Sequence, residues 1–591
     1  MSTNFGERTV DRHLNLLAVA RELKADGRLS EADFNRVGNT TVGNIHPLVY
    51  LAEQKLVDQT GAGGVLDMGV LLSWLGEKVG QVVFQIDPLK INVTAVAEVM
   101  SRPFAERHCI LAVEVKDSEV VIASSEPYIN GWQSNLEHVL RKPVKRVLAD
   151  PRDIRRHTAE FYTMASSVRG ARGTAPMDQP GADYNLEAML ELGSMKEPDA
   201  NDQHIVNIVD WLLQYAFEQR ASDIHIEPRR DVGNVRFRID GVLIGVYELP
   251  QQVCAAVTSR IKILGRMDVA EKRRPQDGRL KTRSPEGSEV ELRLATLPTA
   301  FGEKLVMRIF DPIILQKSFE QLGLADEDLA RWNNTIQMGN GIVLVTGPTG
   351  SGKTTTLYST LRKLATSEVN VCTIEDPIEM VESAFNQTQV NHAIHLDFSS
   401  GVRALMRQDP DIIMVGEIRD IETANMAVQA ALTGHLVIST LHTNDSPSSI
   451  SRLLELGVPS YLIKATVRGI MSQRLVRILC PDCKQYCALD EEAWQALTQP
   501  WKISAPGRMA YPVGCTACRN TGYRGRQGIF EVLVNSRDVQ DQILPQIDTA
   551  RIRDIAVAQG MRTLRLSGAS RVAKGETTID EVLRVAPVLE T

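Results

Sequence analysis

Directly after the apolar run Ile342-Val343-Leu344-Val345, residues 347–354 read Gly-Pro-Thr-Gly-Ser-Gly-Lys-Thr, and few folds can host that order. A strand must end in a tight loop, and a helix must begin at once. Gly347, Gly350 and Gly352 let consecutive N–H groups turn inward on phosphate oxygens, with Pro348, Thr349 and Ser351 completing the loop. Lys353 reaches the outer phosphates and Thr354 offers a hydroxyl to Mg²⁺. Thr355 to Leu361 are helix-compatible, so the positive end of a helix adds to the anion site. The expected ligand is a nucleoside triphosphate, and the expected chemistry is its hydrolysis.

Around this loop, residues 316–478 alternate β-rich runs with helix-length segments. Strands are expected at 341–346, 369–374, 411–416 and 436–441 in a mainly parallel sheet covered by helices. Ligands of such sheets bind beyond the carboxyl ends of the strands, where the loop, Glu375, Glu417 and His442 all fall. Glu417 stands in Gly416-Glu417-Ile418-Arg419-Asp420, where many phosphate-loop enzymes carry an Asp for Mg²⁺, and its longer arm can hold the ion through water. Glu375, Asp376 and Glu379 put three carboxylates beyond another strand end, where one can orient or deprotonate the attacking water. His442 is expected to sense the outer phosphate, whereas His435 is as well explained by local hydrogen bonds.

Two C-x-x-C pairs, Cys480/Cys483 and Cys515/Cys518, are separated by 31 residues. That spacing suits a closed tetrathiolate Zn²⁺ site with a structural role, leaving Cys487 as a spare or substitute ligand.

Composition narrows the remaining choices. At 591 residues the chain exceeds one core, and about one domain per 150 residues suggests roughly four. A formal charge of -7 argues against a surface built for nucleic acid, so none is expected as a partner, although Lys272-Arg273-Arg274 forms a local basic face. Charges interrupt both the opening residues and the apolar stretch Val65 to Val83, so neither a signal peptide nor a bilayer span is expected. The expected location is the cytoplasm.

Along the chain, residues 1–165 mix helical and strand patterns without a chemical motif. Residues 166–198 are expected to be a linker carrying one short helix near Leu186 to Leu192. Ile205, Ile208, Val209, Leu212, Leu213 and Ala216 recur at helical spacing, and Val235 to Ile239 alternate into a hairpin turn at Asp240-Gly241.

Read together, Ala221-Ser222-Asp223-Ile224-His225-Ile226-Glu227-Pro228, Arg236 to Gly241, Lys272 to Arg279, the phosphate loop, the acidic run 375–379, residues 407–420, residues 433–444, the paired cysteines and Gly560-Met561-Arg562-Thr563-Leu564 resemble the GspE/PilB family of type II secretion and type IV pilus assembly ATPases. The resemblance implies an α/β chain with a RecA-like P-loop ATPase core (316–478), a PAS-like N2 domain (199–315), an α/β N-terminal docking domain (61–165) after a helical region (1–60), a tetracysteine zinc module (479–525) and a C-terminal helical domain (526–591). It further implies a hexamer that hydrolyses ATP with Mg²⁺ and drives pseudopilin or pilin assembly. Its implied partners are an inner-membrane platform protein and a membrane-anchored docking protein, making it peripheral to the inner membrane.

The family's water-activating and Mg²⁺-binding carboxylates map to Glu375, Glu379 and Glu417, with the base open between the first two. Its N2-domain arginines map to Arg238, Arg279 and Arg293. The phrasing Met471-Ser472-Gln473-Arg474-Leu475-Val476-Arg477 leans toward secretion, with pilus extension as the alternative. Cyclic di-GMP is not expected, because Glu22 to Ser30 hold only a blurred half of the repeat that binds it in some relatives.

Overall fold

A computed structural model describes residues 11–38, 45–60, 64–88, 91–171, 199–284, 287, 289–310, 317–501 and 503–587. The chain divides into two compact units, Met1–Ile309 and Phe310–Thr591.

In the first unit, a three-stranded sheet of Ile110–Val115, Val120–Ser124 and Val144–Leu148 is followed by a helix over Pro151–Ala171. That helix runs six residues into the stretch expected as linker, and residues 172–198, including the short helix expected at Leu186 to Leu192, lie outside the described residues. The helix Gln203–Glu218 buries the six apolar positions read from its spacing. A six-stranded sheet then forms, in which Val232–Ile239 and Val242–Pro250 make a hairpin. Its turn residues Asp240 and Gly241 both have positive φ, 49° and 87°, as the two-residue turn demands.

The second unit is built on seven strands: β1 (Gly341–Thr346), β2 (Val371–Glu375), β3 (Asn386–Gln389), β4 (Ile412–Val415), β5 (Leu436–Leu441), β6 (Val467–Leu479) and β7 (Tyr523–Val534). Their order is β3-β2-β4-β5-β1-β6-β7, with every pair parallel except β6 and β7. Strands β1, β2, β4 and β5 are buried throughout, which explains their near-continuous apolar runs: helices cover both faces of a parallel sheet. β3 was not foreseen, because its polar, half-exposed residues carry no apolar signal, and neither were β6 and β7, whose apolar runs are interrupted by polar and charged residues; β7 carries the sheet into 526–534, the start of the region expected to be a C-terminal helical domain. Among the helices, α1 (Lys353–Leu364) starts at the phosphate loop, α2 (Ser446–Glu455) follows β5, and α3 (Thr549–Ala558) and α4 (Leu564–Ala573) lie near the carboxyl end.

Candidate functional site

Central β1 lies between β5, which ends level with it, and β6, which continues past it to Leu479, so the loop after β1 emerges mid-sheet. Gly347, Gly350 and Gly352 have φ of 152°, 79° and 89°, which side-chain-bearing residues rarely adopt. Space is short as well at the two outer glycines. A Cβ on Gly347 would lie 2.6 Å from the Gln473 carbonyl oxygen, and one on Gly352 would lie 2.8 Å from Gln473 Nε2. Gly352 stands at the N-cap of α1 and brings no side-chain acceptor, so the N–H groups of the first turn are left for a ligand.

Lys353 folds back over this loop, its Nζ donating to the carbonyls of Gly347 (2.7 Å) and Pro348 (3.2 Å). Burial brings its pKa down to about 8; Glu417 opposes that shift and Arg474 adds to it. A poorly solvated ammonium whose partners are two carbonyls is well prepared for phosphate oxygens.

Glu417 follows β4 by two residues and has a 13% exposed side chain. Its Oε1 pairs with Arg419, and its Oε2 lies 3.5 Å from His442 Nε2, just past the end of β5. Burial lowers the His442 pKa, and Lys353 pushes the same way. Thr354, in the first turn of α1, is half-buried. The neighbouring Thr355 is half-buried too. Lys353, Glu417 and His442 therefore meet as the strand ends require, and a hydroxyl and a carboxylate are present as oxygen donors suited to Mg²⁺.

Glu375 is engaged by neighbouring side chains. It closes β2 only 4% exposed, with Tyr358 Oη donating to Oε2 (2.7 Å), and Thr373 Oγ1 (2.7 Å) and Gln387 Nε2 (3.1 Å) donating to Oε1. Glu379, four residues on, is half-buried. His435 sits at the opposite end of β5, its Nδ1 against the Ala430 carbonyl (2.9 Å) and Thr433 Oγ1 (3.1 Å), away from the loop.

Arg238, Arg279 and Arg293 belong to the first unit. Arg238 Nη1 donates to the Gly241 carbonyl (3.0 Å), Arg279 Nη1 lies 3.4 Å from Glu291 Oε1, and Arg279 and Arg293 face each other across a hairpin.

The four cysteines converge as their spacing implied. Their Sγ atoms all lie within 4.8 Å of one another, with Cys480 to Cys515 and Cys483 to Cys518 both at 3.7 Å and Cys515 to Cys518 at 3.8 Å. A tetrahedron of Zn–S bonds of about 2.3 Å has edges of ~3.8 Å, so these thiols fit Zn²⁺. N–H groups of Cys515 (3.1 Å) and Gly522 (3.2 Å) point at Cys518 Sγ and favour its thiolate. Cys487 lies on a separate strand, Gln485–Ala488, outside this cluster.

Sequence reasoning missed Tyr358, Gln387, Gln473 and Arg474. For the last two a signal existed: with Ser472 they form a polar triplet between the apolar pairs Ile470-Met471 and Leu475-Val476.

Compared with known families, residues 198–584 match the Type II/IV secretion system protein model and residues 80–168 match the MshEN domain. The type IV pilus assembly ATPase TfpB of Acinetobacter baylyi is 53% identical over 96% of this chain and 97% of its own. The type IV pilus assembly ATPase PilB of Myxococcus xanthus is 38% identical, covering 88% of this chain and 91% of its own. The type II secretion system protein E of Xanthomonas campestris pv. campestris is 44% identical over 70% of this chain and 71% of its own.

Proposed function

The chain belongs to the Type II/IV secretion system protein family of ATPases, and on that premise we propose that it is the extension motor of a type IV pilus. One observation carries the choice of machine. Resemblance to a pilus assembly ATPase runs through 96% of the chain, whereas the secretion relative is matched over 70%. Secretion, the first expectation from Met471 to Arg477, is the second reading, supported by its 44% identity in the shared part.

In this reading the loop N–H groups and Lys353 bind the outer phosphates of ATP. Glu379 accepts the proton of the attacking water, since the oxygens of Glu375 are already taken by Tyr358, Thr373 and Gln387. His442, whose Nε2 lies 3.5 Å from Glu417 Oε2, reports whether the outer phosphate is present. Mg²⁺, held by Thr354 and Glu417, would neutralise charge on the phosphates when bound. Arg238, Arg279 and Arg293 would approach the phosphates within a hexamer. Zn²⁺ on Cys480, Cys483, Cys515 and Cys518 closes the module structurally.

Energy of hydrolysis would reach an inner-membrane platform protein and a membrane-anchored docking protein from the cytoplasmic side. Among the described residues no helix is long and apolar enough to cross a membrane. The MshEN match over 80–168 runs against the expectation that cyclic di-GMP is not a ligand, because that domain is related to cyclic di-GMP binding. Equilibrium dialysis with the labelled dinucleotide decides that point.

The main test is phosphate release by the purified full chain, with its oligomeric mass measured in parallel. Turnover should rise with assembly and vanish in Lys353→Ala and Glu417→Gln. Full activity in both variants would overturn the site. In the cell, a gene deletion that abolishes secretion while pili persist would replace the pilus reading by the secretion one.

A further inference from the structure

Arg474 is a buried cation of the second unit, beside the phosphate loop, that the chemistry above leaves without a task. Strand β6 runs parallel to β1 with Ser472 opposite Thr346, so Gln473 and Arg474 continue alongside the phosphate loop. Gln473 Oε1 accepts from Thr356 Oγ1 at 2.6 Å, fastening β6 to the helix that opens at the loop. Arg474 Nη1 lies 3.1 Å from where a Cβ of Gly347 would stand.

The guanidinium belongs to a side chain only 6% exposed, yet its hydrogen bonds go to carbonyls: Gln473 (3.0 Å) and Asn444 (2.7 Å). Among the described residues no carboxylate pairs with it within 4.0 Å. Glu531 and Asp445 are the acids near enough to act on it, and Asp445 is already engaged by Arg553 at 2.8 Å. A buried charge without a direct ion-pair partner is costly unless one arrives from outside. Arg474 is near enough to Lys353 to lower its pKa, and Lys353 Nζ donates to the carbonyl of the same Gly347. The anion that suits two such cations around a glycine loop is the outer part of a nucleoside triphosphate. The carbonyl held by Arg474 belongs to Asn444, two residues beyond His442, so the same group also fastens the strand end that faces the phosphates.

Resting on the reading of the loop as an ATP site, we propose that Arg474 is a positioning residue of that site: its charge gains a direct counter-ion when phosphate is bound, and its fork holds the His442 segment against the loop. Arginine donors from another unit are not needed for this effect.

Arg474→Gln removes the charge and keeps a donor, while Arg474→Lys keeps the charge and loses the fork. MgATP affinity of the full chain is measured by titration calorimetry, and melting temperature with and without MgATP in parallel. Expected for Arg474→Gln is a loss of affinity on the order of tenfold or more and a smaller MgATP-induced rise in melting temperature. Expected for Arg474→Lys is affinity within about threefold of the parent but a lower kcat. Equal MgATP affinity in the parent and Arg474→Gln overturns the inference while leaving the loop's role standing. So does equal loss in both variants accompanied by equal drops in ligand-free melting temperature, the mark of a merely structural residue. A parent chain that does not bind MgATP overturns both readings.

Discussion

Tyr358 Oη donates a 2.7 Å hydrogen bond to Glu375 Oε2, both groups being sealed from solvent, and this bond ties α1 to the end of β2. Burial, then the neighbouring carboxylate, pushes the Tyr358 pKa far up, so the hydroxyl stays a donor across the accessible pH range. Gln387 from β3 donates to both partners' oxygens at 3.1 Å. The acidic residue nearest the strand end is therefore an anchor for the helix that carries Lys353.

The two acids of the 375–379 run should separate experimentally. Tyr358→Phe removes one donor to a buried carboxylate and should cost about 1–3 kcal/mol in urea unfolding. Glu379→Gln should lower kcat by roughly a hundredfold or more with MgATP affinity little changed. Full turnover in Glu379→Gln, with Glu375→Gln folded and inactive, would return the base role to Glu375.

Lys353 makes nucleotide binding depend on pH. Its folded pKa of about 8 lies below the unfolded value of 10.5, so the free site begins to lose the ammonium proton above about pH 8. Phosphate binding needs that proton, and MgATP affinity should fall by up to about tenfold per pH unit beyond it. The same shift means that the buried ammonium destabilises the ligand-free fold below about pH 8, a cost relieved as pH rises toward 10.5. Calorimetric titrations between pH 7 and 9.5 check this, and a flat profile would refute it.

Glu531 should give the second unit a stability term of opposite character. It is fully buried on β7, accepting from the N–H of Ser446 (2.7 Å) and of Leu564 (3.3 Å), the first residues of α2 and α4. Burial, reinforced by Asp445, raises its pKa to about 7. A folded value above the unfolded one means a contribution present below pH 4.5 and lost as pH rises through about 7. Glu531→Gln should therefore compare more favourably with the parent at pH 8 than at pH 5 in thermal melts. A difference that does not change with pH would count against it.

The cysteine cluster predicts one Zn²⁺ per chain. Cys480→Ser should lose the metal and loosen the region between Cys480 and Tyr523, seen as faster proteolysis or amide exchange, while MgATP still binds. Loss of nucleotide affinity in a folded variant would mean that the module shapes the phosphate site.

Much of the sheet was legible because its buried strands are written as apolar runs. The expected 341–346 and 436–441 coincide with β1 and β5, and 369–374 and 411–416 fall within two residues of β2 and β4 at each end. β3 escaped because an edge strand with polar, half-exposed residues has no pattern to read, and β6 and β7 escaped because polar and charged residues interrupt their apolar runs. That Lys353, Glu417 and His442 lie near one another could be expected because each follows the end of a readable strand. The same held for Glu375, but its burial depends on Tyr358 and Gln387, which no local pattern connects with it.

Short-range order in the chain was sufficient for the phosphate loop, the parallel sheet, the turn at Asp240-Gly241 and the cysteine pairs. Each depends on backbone freedom, apolar periodicity or ligand spacing within a few residues. Tertiary structure alone assigned Glu375 to Tyr358, joined Thr356 to Gln473 across 117 positions, and placed Glu531 under two helix starts 85 and 33 residues away. Such pairings follow from the order of strands in the sheet. Hydrogen bonds reward that order only after the intervening chain has been closed into place, so no single segment contains it.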